Sequence, residues 1–130
     1  MSATARIGKI LIVDDEVHIA ETLGLVFSAQ GYEVRAANSA EQAVEILAQW
    51  QPDVAILDVM LPQMNGIDLA LVTQTNYPSC RLLLISGHPE TGTLLEEAKA
   101  KGHRFDILAK PVHPEYILAA VSDLLYVDPS

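Results

Sequence analysis

Val54-Ala55-Ile56-Leu57-Asp58-Val59-Met60-Leu61-Pro62-Gln63-Met64-Asn65-Gly66 decides the fold of this chain. Four apolar residues run without alternation into one carboxylate. A strand covered on both faces needs such a run, and Pro62 and Gly66 punctuate the loop that follows. The segment predicts a buried strand over Val54–Leu57 that carries Asp58 to the surface at its carboxyl end.

The same arrangement repeats on either side. Lys9–Val13 is a β-branched strand that delivers Asp14-Asp15-Glu16. Ile19, Leu23, Val26 and Phe27 then recur at helical spacing up to a stop at Gly31. Glu33–Ala37 is a weaker strand suited to a sheet edge. Ser39 and Gln42 form a capping-box pair, and Ala40, Ala43, Val44 and Leu47 mark the inner stripe of the helix that ends before Pro52. Beyond Asp58, a short helix from Gly66 to about Thr75 stops at Asn76-Tyr77-Pro78. Leu82–Ile85 is a strand delivering Ser86, Gly87 and His88, and a weak helix is predicted over 90–101. Phe105–Ala109, interrupted by Asp106, is an edge strand delivering Lys110-Pro111. Pro114 opens a last helix with Ile117, Ala120, Val121 and Leu124 on its apolar face. Five β-α repeats demand an α/β fold, a parallel sheet with helices on both faces.

The 130 residues fit one domain, 1–130 with its core at about 7–126, and leave no room for an output domain. Seventeen acids against eight bases give −9, which argues against direct binding to nucleic acid or anionic lipid. No apolar run approaches the roughly 20 residues of a membrane span, and Met1–Gly8 lacks the long apolar stretch of a signal peptide. A single cysteine, Cys80, suits a reducing cytoplasm.

In an open α/β sheet, ligands bind at the carboxyl ends of the strands. The residues delivered there are Asp14 and Asp15, Asp58, Ser86 and Lys110. Three carboxylates at one edge repel one another unless a cation joins them, and all-oxygen ligation favours a hard ion such as Mg²⁺. A lysine and a hydroxyl beside that ion suit a phosphoryl group. Taken singly, these residues have plainer readings: acids 14–16 as helix N-terminal charges, Ser86 as a turn former, Lys110 as a solvated lysine. His18, His88, His103 and His113 share no metal-ligand spacing.

Over nearly its whole length the chain resembles the receiver domain of two-component response regulators. The resemblance is carried by Asp14-Asp15 after Ile12-Val13, by Asp58 with Pro62 and Gly66, by Ser86-Gly87 and by Lys110-Pro111. It implies a CheY-like sheet in the order 2-1-3-4-5, with Asp58 taking a phosphoryl group from a sensor histidine kinase or phosphotransfer protein. It further implies Mg²⁺ held by Asp15, Asp58 and the Met60 backbone carbonyl, with Asp14 acting through water, and phosphoryl oxygens bound by Ser86 and Lys110. The expected role is a cytoplasmic, stand-alone signalling switch rather than an enzyme. Its signal would leave by contact with a downstream protein or by onward phosphotransfer. A phosphorylation-dependent dimer would use the helix over 90–101, the fifth strand and the last helix.

The family's usual aromatic three positions before the lysine is here Ile107, with Phe105 two residues earlier, so the standard switch is altered. Met60 and His88 occupy positions that tune phosphoryl lifetime. A phosphorylation-independent docking module is the alternative motivated by Ile107. A phosphatase using an aspartyl nucleophile would want a second acid where Met60 stands.

Overall fold

A computed structural model describes residues 8–62, 64–87, 96, 99, 100, 102, 106–110 and 113–125. Strands β1 (Lys9–Val13), β2 (Glu33–Ala37), β3 (Val54–Asp58), β4 (Arg81–Ser86) and β5 (Asp106–Ala109) form one parallel sheet in the order β2-β1-β3-β4-β5. Helices α1 (Val17–Ala29), α2 (Ala40–Gln49), α3 (Gly66–Asn76) and α4 (Pro114–Leu125) complete the described elements. Glu96, Lys99 and Ala100 have helical backbone, and the rest of the helix expected over 90–101 lies outside the described residues.

The pleat of the central strands sorts their side chains into two cores. Ile10, Ile12, Val54, Ile56, Leu83 and Ile85 face α1 and α4, where Phe27, Leu23, Ile117 and Val121 cover them. Leu11, Val13, Ala55, Leu57, Leu82 and Leu84 face α2 and α3, under Leu47, Ile67, Leu69 and Ala70. Every residue of β3 is buried, as expected for the middle strand of a sheet covered on both sides.

Local chemistry sets the element ends. The Ser39 hydroxyl accepts from Gln42 N, and Gln42 Oε1 accepts from Asn38 N, one residue earlier than in an ideal capping box. Gly31, at φ 99°, terminates α1 in a conformation that disfavours any side chain. The Asn65 side chain caps α3 by accepting from Asp68 N. That helix runs through Asn76, one residue past its expected end. Val44, expected on the inner stripe of α2, is instead 43% exposed. Ala40, Ala43 and Leu47 already make the inner line of this narrow helix, and Val44 lies about 100° round from Ala43. Trp50, just past α2, is buried; its Nε1 donates to Glu33 Oε2, and the Arg35 guanidinium lies 4.8 Å from the ring. This contact clamps the edge strand β2 to α2.

Candidate functional site

Each conspicuous polar residue sits where a strand ends. Asp14 follows β1, Asp58 ends β3, Ser86 ends β4 and Lys110 follows β5. The register brings these ends level: Asp58 pairs with Ile85, and Ser86 with Ala109. Lys110 N donates to Ser86 O at 2.7 Å, and Val59 N to Ile85 O at 3.0 Å, so the ladder continues just past the strand ends.

Asp58 was expected at the surface, and the structure corrects that. Only 5% of it is exposed, and Asp14 is 3% exposed, while Asp15 is solvent-facing. The β3 ladder extends through Asp58, which places the carboxylate inside the rim rather than on it. One carboxylate oxygen from each of Asp14, Asp15 and Asp58 lies within 4.8 Å of the others.

Hydrogen bonds fix the two buried acids. Met60 N donates to Asp58 Oδ1 at 3.1 Å, and Glu16 N donates to Asp14 Oδ1 at 2.9 Å. The second oxygen of each acid faces Lys110, whose Nζ is 3.1 Å from Asp58 Oδ2 and 3.4 Å from Asp14 Oδ2. Gly87 gives the lysine stem its path, since a Cβ there would stand 3.3 Å from Lys110 Cβ. Gly66 has a stricter role. Its N–H donates to Val59 O, and a Cβ would overlap the Asp58 carbonyl group. The loop Val59–Asn65 can fold back under Asp58 only with glycine at 66.

The electrostatics carry an excess of negative charge. Burial pushes the Asp14 carboxyl up from its ordinary value; the Glu16 N–H opposes this, and the Asp58 charge adds to it. Burial pulls the Lys110 ammonium down. The hydrogen bond and charge of Asp58, followed by those of Asp14, outweigh it, and the net shift is upward. One lysine therefore faces more carboxylate charge than it can neutralise. An all-oxygen donor set with that surplus fits a hard divalent cation.

The Asp58 cleft is also lined by Asp15, Glu16, Met60, Pro62 and Lys110. Met60, 36% exposed, stands at its edge and brings no acid to the position where a phosphatase would want one. Ser86 is buried at the same level of the sheet. Ile107 pairs with Leu84, away from the cleft, and packs partly buried against the α2–α3 core. His88 and Phe105, both expected to take part in switching or tuning, lie outside the described residues. Glu16 is the site neighbour that sequence reasoning left as a helix-terminal acid; its side chain comes within 3.9 Å of Lys110 Nζ.

A sequence profile for the response regulator receiver domain matches residues 10–122. The alginate biosynthesis transcriptional regulatory protein AlgB of Pseudomonas syringae pv. tomato is 32% identical over 97% of this chain and 28% of its own length. The response regulator protein PilR of Pseudomonas aeruginosa is 34% identical over 80% of this chain and 23% of its own. The chain thus spans about a quarter of these curated relatives. Among solved structures, the signal receiver domain of an HD domain-containing protein from Pseudomonas fluorescens Pf-5 superposes with TM-score 0.84. It is 31% identical and is matched over 93% of this chain and 95% of that one.

Proposed function

The chain belongs to the response regulator receiver domain family of two-component signalling, and we propose that Asp58 is its phosphoacceptor. The observation that carries this reading is the Asp58 carboxylate itself. It is buried, oriented by Met60 N and paired with Lys110 at 3.1 Å inside a trio of acids. A structural carboxylate does not require two further acids beside it.

In this reading an Asp58 oxygen attacks the phosphorus of a phosphohistidine on a sensor kinase or phosphotransfer protein. The new P–O bond forms as the P–N bond breaks, and the imidazole leaves with the electron pair. Lys110 turns from Asp58 Oδ2 to the phosphoryl oxygens and compensates the charge that arrives with them. The Ser86 hydroxyl donates to another of those oxygens. A bound Mg²⁺ would supply further charge neutralisation, held by Asp15, Asp58 and the Met60 carbonyl, with Asp14 acting through water. The chain's catalysis is confined to its own phosphorylation and dephosphorylation. Met60, at the cleft edge, and His88, two positions after Ser86 in the sequence, set the phosphoryl lifetime.

Phosphorylation adds charge and three strong acceptors at the level of Ser86, and Ser86 is drawn toward them. Ile107 has no aromatic ring to turn, and its β-branched side chain has few rotamers, so the readout does not pass through an aromatic rotamer change at this position. The message leaves by protein–protein contact or onward phosphotransfer. A phosphorylation-dependent dimer through residues 90–101, β5 and α4 fits the exposed Tyr116 on α4. The acidic surface supports a protein partner for this domain rather than nucleic acid; AlgB is named a transcriptional regulatory protein as a whole. No helix among the described residues is long and apolar enough to cross a membrane, and the lone buried cysteine fits a cytoplasmic setting.

Beryllofluoride with Mg²⁺ mimics an aspartyl phosphate and tests the reading. Saturable stabilisation against thermal unfolding is expected for the native chain and not for Asp58→Asn. An equal response of the two proteins would overturn the assignment.

A further inference from the structure

Glu16 occupies the N-cap position of α1, yet its side chain makes no capping hydrogen bond. Only its backbone serves the helix, with Glu16 O accepting from Ile19 N and Ala20 N. The carboxylate extends across the cleft mouth to within 3.9 Å of Lys110 Nζ, with 64% of the side chain exposed. It thus lines the approach to Asp58 without belonging to the trio of Asp14, Asp15 and Asp58. A phosphodonor entering the cleft passes this charge, and its leaving group, on the solvent side of the phosphorus, stays near it.

We infer that Glu16 is a specificity-determining residue that discriminates among phosphodonors by their negative charge, an inference that rests on Asp58 being the phosphoacceptor. Its field disfavours donors carrying two negative charges relative to donors carrying one. The phosphohistidine of a protein, with a neutral imidazole as leaving group, is less affected than a small acyl phosphate that must bring its own anionic leaving group. Lys110 is common to the native chain and to Glu16→Gln, so comparing the two isolates the Glu16 charge. At about 7 Å in a water-like dielectric, one unit charge acting on another changes a rate about 2- to 3-fold. An exposed pair of this kind is screened by salt with a Debye length of about 8 Å at physiological ionic strength.

The test measures phosphorylation rates of the full chain at saturating Mg²⁺ with two donors. In acetyl phosphate, a dianion, the Asp58 oxygen attacks phosphorus as the P–O bond breaks and acetate leaves. In phosphoramidate, a singly anionic zwitterion, the P–N bond breaks and ammonia leaves with its own protons. Glu16→Gln should raise the acetyl phosphate rate about 5-fold and the phosphoramidate rate about 2-fold. The gap between donors should close at about 0.5 M salt, where screening is nearly complete at this range. Glu21→Gln, which removes the same charge about one and a half turns further along α1, should change neither rate. A Glu16→Gln effect equal for both donors would overturn the inference and leave Glu16 as a tether for Lys110. So would an effect that persists in high salt. A native chain phosphorylated by neither donor would overturn the phosphoacceptor reading itself, and this inference with it.

Discussion

Replacing Asp14 by Asn should stabilise the metal-free protein. The side chain is 3% exposed, and its Oδ1 accepts from Glu16 N, a bond that asparagine's Oδ1 keeps. The charge has opposing neighbours. Repulsion from Asp58, whose oxygen lies within 4.8 Å, is about 3.5 kcal/mol at an effective dielectric of about 20. Attraction to Lys110 at 3.4 Å is about 5 kcal/mol on the same scale. Asp15, in solvent, adds roughly 1 kcal/mol of repulsion, so the Coulomb contributions nearly cancel. The cost of burying a carboxylate then decides the sign, in agreement with the upward displacement of the Asp14 carboxyl. A net gain of about 1–2 kcal/mol follows for Asp14→Asn. For 130 residues at about 2.1 cal/mol/K each, that raises Tm by roughly 4–7 °C. Thermal unfolding in EDTA at pH 7 reads it directly. The pH dependence provides a second check. A carboxyl raised in the folded state binds its proton more readily there, so the native chain gains stability as pH falls through its folded value. The difference between the proteins should therefore shrink and vanish below the ordinary 3.8. A variant that melts at or below the native chain in EDTA at pH 7 would refute the electrostatic account of the site.

Three further outcomes follow from the same geometry. Mg²⁺ at ten times its dissociation constant should stabilise the native chain by about 1.4 kcal/mol, and chelation should reverse this; Asp15→Asn should lose the response in a thermal melt. Gly66→Ala should destabilise by about 3 kcal/mol in urea unfolding, because its Cβ would meet the Asp58 carbonyl, which cannot move without displacing β3. Cys80, buried and with its thiol pushed up to about 12, should react with a thiol reagent only as fast as the chain unfolds, and reaction in the native state at pH 8 would contradict its placement.

How much of this was legible follows from which interactions are local. Val54–Leu57 announced a doubly covered strand because no polar residue interrupts it, and Gly31, Ser39 and Pro114 marked helix ends through their own backbone preferences. The acids, Ser86 and Lys110 could be placed at one sheet edge because a parallel sheet sends every strand's carboxyl end the same way. Exposure was harder to read. Asp58 looked like a rim residue, but the ladder and loop enclose it, a consequence of Gly66 folding back beneath it. Val44 has the right chemistry for a core position and the wrong angle, since two alanines and Leu47 already fill the narrow inner line of α2. The Trp50 clamp on Glu33 and Arg35 and the reach of Glu16 to Lys110 depend on partners brought close only by the fold. Periodicity has no signal for such pairs.

The central claim is that Asp58 takes the phosphoryl group, and mapping the modified residue tests it most directly. After incubation with Mg²⁺ and phosphoramidate, peptide mass spectrometry should find one phosphoryl group, on Asp58, labile to hydroxylamine as an acyl phosphate must be. Asp58→Asn should carry none, and native chain in EDTA very little. A phosphoryl group on any other residue, or none on a native chain shown to bind Mg²⁺, would contradict the account.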